Sequence, residues 1–177
     1  MNDHELDALG RDQRVLDTDP SNDLAPFAAA LGRLVIQCSF VDHEIRAMYA
    51  RVRGYEGMEI VERAFKPQIS DIIRDLKSVI LNFLNSDRCA YLMHALDKFE
   101  NISKNRNRWV HSVLRQSDGV WRYGYIPRAK EQMEPPHIEW NIPCPDELEQ
   151  GIFELELINF RLQSVKLDLR PLPTQEK

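Results

Sequence analysis

Residues 24–54 read LAPFAAALGRLVIQCSFVDHEIRAMYARVRG, and this stretch decides the fold. Leu24, Ala28, Leu31, Val35, Cys38, Ile45, Tyr49 and Val52 recur at the spacing of one helix face, and Gly54 stands where a left-handed C-terminal cap belongs. The spacing predicts one long amphipathic helix. Its reverse side carries Ala29, Ile36, Phe40 and Ala47, a second apolar strip that would be wasteful against solvent. That strip is expected to meet another element or a second subunit.

Helical periodicity continues downstream. A short helix is expected from about Met58 to Phe65, stopped by Lys66-Pro67, because the residue before proline disfavours helical dihedrals. Ser70 is expected to cap the next helix, which carries Ile72, Ile73, Leu76, Val79, Ile80, Phe83 and Leu84. Asn85-Ser86 breaks and recaps the chain. The following helix is expected from about Asp87 to Leu114, with Leu92, Ala95, Leu96, Phe99, Ile102, Val110, Val113 and Leu114 on one stripe and a stop at Gln116–Gly119. Beyond Gly119 the period becomes two over Val120–Ile126 and again over His137–Ile142, which reads as a small β-ribbon. Pro145-Asp146-Glu147 opens a last helix carrying Leu148, Ile152, Leu155, Ile158, Leu162, Val165 and Leu169, before Pro171 and Pro173.

Working outward, residues 1–22 are polar and acidic without apolar periodicity and read as a flexible arm, residues 23–170 as the domain, and residues 171–177 as a tail. The fold class expected is mainly α, an antiparallel helical bundle with a small β-ribbon insertion before the last helix. A chain of 177 residues, 43% hydrophobic, suits a single domain. No apolar run approaches the ~20 residues that cross a bilayer, and the acidic N-terminus is unlike a signal peptide, so the expectation is a cytoplasmic chain without a membrane partner. Cys38, Cys89 and Cys144 are odd in number and far apart, and read as buried free thiols.

Most enzyme classes find no support. Asp42-His43-Glu44 points in three directions on a helix, and His4, His94 and His137 lack complementary spacing, so neither a metal site nor a cofactor is expected. A phosphate-cradling glycine loop, a Gly-x-Ser-x-Gly elbow and a Cys-His pair are all missing. The net charge of −5 argues against indiscriminate coating of nucleic acid, yet residues 98–130 hold eight Lys or Arg against only Glu100 and Asp118. That basic segment, either a solvated face or a polyanion site, points to Lys104, Arg108, Arg115 and Arg122 as candidate RNA contacts. Trp109, Trp121, Tyr123, Tyr125 and Trp140 beside it suit either base stacking or packing of the ribbon.

The informative stretch is Lys104-Asn105-Arg106-Asn107-Arg108-Trp109-Val110-His111. At about 100° per residue, Arg106 and Asn107 fall on the stripe of Leu92, Phe99 and Val110, where an amphipathic helix should be apolar. A buried guanidinium needs a partner or a purpose. His111 lies one turn from Asn107, so those side chains can touch, whereas it is about 140° around the helix from Arg106. Asp42, within the apolar side of the first helix, is a candidate to position Arg106 or His111, or to pair with Arg106 structurally.

Arg106-Asn107-x-x-x-His111 near the end of a long helix resembles the Arg-x4-6-His motif of HEPN domains, and the helical likeness extends over roughly residues 24–170. The resemblance implies metal-independent RNA cleavage by a homodimer whose two motifs face one another, in the toxin–antitoxin and phage-defence settings of that family, with a cognate antitoxin or defence partner. It makes His111 the acid/base, Arg106 the phosphate binder, and Asn107 a residue orienting either. The chemistry is coherent: imidazole titrates near neutrality and can take the proton of a ribose 2′-OH, and a guanidinium offers a planar fork to charge developing on phosphorus. Ser112 and Val113 follow His111, so the His-x-Tyr continuation of some toxin members is missing. A non-catalytic RNA- or nucleotide-binding interaction module, and a purely structural helical dimer, are the competing readings.

Overall fold

The computed structural model describes residues 24–81, 84–125, 138 and 140–166. The expected arm at 1–22, the tail at 171–177, and the assignments for Phe83, Ile126, His137 and Leu169 lie outside these residues. The described chain is mainly helical, with one three-stranded antiparallel sheet between the third and last α-helices.

Helix α1, Ala25–Arg53, begins with proline in its first turn and ends on Gly54 at φ 69°, where the Tyr55 N–H donates to the Ala50 carbonyl at 3.0 Å. Its buried stripe is Phe27, Ala30, Leu34, Cys38, Val41, Ile45, Met48 and Val52, rotated from the expected one, and Ala28 is exposed. Tertiary packing sets this rotation. Leu34 lies over Gly151 of the last helix, where an added Cβ would meet Leu34 Cδ1 at 3.1 Å.

Residues Ile60–Phe65 form a π-helical segment in place of the expected ordinary helix, and the Lys66 N–H donates five residues back, to Val61 O at 3.0 Å. Its end leaves carbonyls without helical donors. Arg46 Nη1 supplies them, donating to Ala64 O at 2.8 Å, Phe65 O at 3.2 Å and Pro67 O at 2.8 Å. Helix α2, Ile69–Ile80, starts after an extended Gln68 with no side-chain cap, so Ser70 sits inside the first turn and does not cap it. Helix α3, Ser86–Val110, is capped as expected, Asn85 Oδ1 accepting from the Arg88 N–H at 3.0 Å.

Helix α3 stops short of the expected Leu114. Strand β1, Ser112–Ser117, leaves it directly and turns through Asp118 (φ 54°) and Gly119 (φ 72°) into β2, Val120–Tyr125. Two consecutive left-handed residues make the tight turn whose twist matches a hairpin. Register runs from Ser112 opposite Tyr125 to Ser117 opposite Val120, and β3, Trp140–Asn141, adds along β2 with Trp140 opposite Gly124. Gly124 is buried because a Cβ there would meet Ile138 Cγ2 at 2.6 Å and Trp140 Cε3 at 3.0 Å. Gly124→Ala is accordingly expected to cost about 1–3 kcal/mol, read as a lowered midpoint in thermal unfolding; an unchanged midpoint would mean that Trp140 shifts freely.

Helix α4, Pro145–Lys166, closes the bundle. It runs antiparallel to α3, with Lys98 Nζ donating to Glu154 Oε2 at 2.6 Å and Arg161 over the Tyr91 ring at 4.7 Å. Phe27 stacks on Tyr123 at 5.9 Å, so the start of α1 meets the sheet, as do the end of α3 and the start of α4. Helices α1 and α4 therefore run side by side in one sense, which corrects the uniformly antiparallel expectation; the sheet provides the crossover. Leu34, Ile45, Met48, Leu92, Leu96, Phe99, Leu148 and Leu155 fill the centre. No helix among the described residues is long and apolar enough to cross a membrane.

Candidate functional site

Arg106 faces inward, and its surroundings are unusual for a cation. Its guanidinium lies near the thiol of Cys38, a residue of α1 with 0% exposure, and its Nε is enclosed without a hydrogen-bond partner. Burial pushes the Cys38 thiol up from its usual range, despite the opposing pull of the guanidinium. The group near Arg106 on α1 is thus a thiol that stays protonated, and no counter-ion.

Asp42 does not serve Arg106. Its Oδ1 accepts from Arg46 Nε, one turn along α1, and the same arginine holds the end of the π-helical segment. Among the described residues Arg106 makes no ion pair. Arg46 and Cys38 are the two residues of this region that sequence reasoning missed. Arg46 carries an i,i+4 signal with Asp42, whereas nothing along the chain links Cys38 to Arg106.

Asn107 is exposed rather than buried with Arg106. The cover over the stripe ends in the last turn of α3, as the 44% exposure of Val110 also shows. His111 caps α3 at φ −100°, outside the helix, and its N–H donates to Asn107 O at 3.1 Å. The imidazole is exposed, and among the described residues no side chain hydrogen-bonds it. The expected Asn107–His111 contact is therefore a main-chain one.

The basic residues separate into two sets. Lys104 and Arg108 lie two positions before and after Arg106, about 200° around the helix from it, and both are exposed. Arg115 and Arg122 are directly opposite one another in the hairpin register. Alternation along β2 turns Arg122 away from the face on which Tyr123 meets Phe27. Arg106 thus stands toward α1, whereas Lys104, Arg108 and Arg115 are exposed and Arg122 is half-buried on the other sheet face. Leu114 opposes Tyr123 on the inner face, and Trp109 packs against the core, so two members of the aromatic set serve packing.

The reverse strip of α1 is exposed, Ile36 at 57% and Phe40 at 60%, and the neighbouring ridge of α4 exposes Phe153 at 59% and Phe160 at 69%. The Arg33–Glu149 ion pair joins these two ridges. This surface lies on the side of α1 away from Cys38 and hence from Arg106. A two-fold contact through it would leave the two Arg106 side chains apart by two helix diameters, roughly 20 Å. The strip is thus open to a partner, but it does not bring two motifs together.

Cys38 and Cys89 are buried free thiols and Cys144 is a half-buried one. Among the described residues no cluster of His, Cys, Asp and Glu is placed to hold a metal ion. Comparison with protein-family models, with curated proteins and with solved structures finds no match.

Proposed function

We propose that this chain is a metal-independent endoribonuclease of the HEPN type, acting as a homodimer with a cognate antitoxin or defence-system partner. The observation that carries the proposal is the Arg106 guanidinium, whose Nε is enclosed without a hydrogen-bond partner and which lacks a counter-ion among the described residues. A cation kept partly from water without an anion of its own is complementary to one that arrives with the substrate. In this reading Arg106 binds the non-bridging oxygens of the scissile phosphate. His111, five residues on and exposed, takes the proton from the 2′-OH as that oxygen attacks phosphorus. The 5′-oxygen leaves with a proton supplied by the second copy's acid, giving a 2′,3′-cyclic phosphate and a 5′-hydroxyl. The dimer that joins two sites uses the edge beside Val110, where α3 leaves the bundle, and not the Ile36–Phe40 strip.

Cleavage of RNA is expected to survive EDTA, to leave the cyclic phosphate and to fail on a strand with deoxyribose at the cut. Sedimentation should show a dimer at micromolar concentration. Activity restored only by Mg²⁺ or Mn²⁺, or carried by a stable monomer, would reject this assignment. The exposed His111 ring, without a side-chain hydrogen bond among the described residues, favours one second reading, a non-catalytic RNA- or nucleotide-binding module, because a working acid/base is usually held by a neighbour; RNA bound but left intact would establish it.

A further inference from the structure

The four cations that turn away from Arg106 lie in two pairs, one on the last turns of α3 and one on the hairpin that follows it. Lys104 and Arg108 form a ridge one turn apart on the outer side of α3, and β1 continues directly from that helix to Arg115. From Asn101 to Ser117 the chain contains no Asp or Glu. The nearest preceding carboxylates, Asp97 and Glu100, are already occupied by Lys77, at 2.6 Å and 2.9 Å.

The hairpin adds a more specific feature. Arg115 and Arg122 occupy directly opposed register positions on the sheet face away from Tyr123, an arrangement in which like charges repel and destabilise the ladder. Arg122 Nε is enclosed and lacks a hydrogen-bond partner, and neither arginine makes an ion pair among the described residues. Two guanidinium forks side by side are complementary to a phosphodiester, whose two non-bridging oxygens can accept from both. Trp140, half-buried opposite Gly124 with its ring over that glycine, lies on the same face one alternation beyond Arg122. Cations that follow a backbone beside an aromatic ring are how proteins hold single strands without reading their sequence.

We infer that Lys104, Arg108, Arg115 and Arg122 form a phosphodiester-binding track for single-stranded RNA, distinct from the Arg106 position and holding the strand beyond the bond to be cut. The inference rests on RNA being the substrate class, as proposed above. Strand β1 rises ~3.3 Å per residue, so the arginine pair stands about 10 Å along the strand from Ser112, the residue after His111. A short substrate reaching only Arg106 and His111 would not engage it. The acidic remainder of the chain limits binding to this surface.

The test uses the full chain and a labelled, unstructured 2′-O-methyl RNA oligonucleotide, which cannot be cut, with binding read by fluorescence anisotropy across a salt series. Arg108→Glu/Arg115→Glu, both at exposed positions, is expected to weaken binding at least tenfold and to lower the salt slope by about 1.4, the contribution of two single-strand phosphate contacts. Arg108→Lys/Arg115→Lys should retain most of the affinity. If the Glu double variant melts early, Arg108→Gln/Arg115→Gln takes its place, with a smaller loss expected. Unchanged affinity in the folded variant overturns the track, as does equal binding of the wild-type chain to a duplex of the same sequence or to phosphatidylserine vesicles. Because this oligonucleotide is inert, the track stands or falls independently of cleavage: a chain that binds in this way and never cuts loses the nuclease reading alone, and one that cuts while the variant binds normally loses the track alone.

Discussion

Arg106→Met is expected to reduce RNA cleavage at least ~100-fold, the scale for removing a positioned charge-stabilising group, while leaving the protein no less stable. Methionine matches the stem of arginine and fills irregular apolar space, so the contacts of the aliphatic portion with α1 are largely kept. What disappears is a guanidinium whose Nε is enclosed without a partner and whose neighbour, Cys38, is neutral. Removing a buried polar group left unsatisfied contributes stability, about 1 kcal/mol here, which corresponds to roughly 2–4 °C in melting midpoint for a chain of this size. His111→Ala should show a similar loss of cleavage with little change in midpoint, since the ring is exposed and makes no side-chain hydrogen bond among the described residues. The measurements are single-turnover cleavage and thermal unfolding on the same preparations. A structural Arg106 gives the reverse pattern, a melting loss in Arg106→Met with cleavage that follows the folded fraction.

The largest effect on stability is expected at a different arginine. Arg46→Ala removes the donors to the Ala64, Phe65 and Pro67 carbonyls and strands the half-buried Asp42 carboxylate in one step. Breaking an inward ion pair from one side costs about 3–5 kcal/mol, on the order of 10 °C in melting midpoint. Asp42→Asn/Arg46→Met should recover part of that loss, because the uncompensated charge is gone while the carbonyls remain without their donor. Asp42→Asn/Arg106→Ala, by contrast, should be additive, since those two residues form no pair. Coupling in the second cycle and none in the first would show that Asp42 serves Arg106 after all.

These two arginines show what a sequence can and cannot reveal about a site. Arg106 is legible because a charged residue on an apolar stripe breaks helical periodicity, a property of one element. That Arg106 meets Cys38 and not Asp42 is not legible. Cys38 and Asp42 sit one turn apart on the same side of α1, and which of them faces α3 depends on the rotation of both helices. The same rotation explains why Lys104 and Arg108, adjacent in sequence to Arg106, belong to the opposite surface. The first strand of the hairpin, expected as helix, is hidden in the sequence for a local reason. Val113 and Leu114 continue the helical stripe of Phe99 and Val110, which masked the Asp118-Gly119 signal of a tight two-residue turn. Tertiary cover settled the competition: beyond Val110 the stripe has no helix to bury it, and pairing with β2 satisfies the main chain instead.

The sequence by itself determined the mainly helical class, the long first helix with its Gly54 cap, the Asn85 cap, the strand over Val120–Tyr125 and the anomaly at Arg106. Each follows from spacing or cap chemistry within a few neighbouring residues, where the physics is local. Only the tertiary structure decided the parallel sense of α1 and α4, the π-helical segment closed by Arg46, the neutral thiol beside Arg106 and the division of the basic residues into an inner and an outer set. Those depend on which faces pack together, and packing is a property of the whole core: side chains far apart in the chain compete for the same buried space, and the helices rotate until that space is filled.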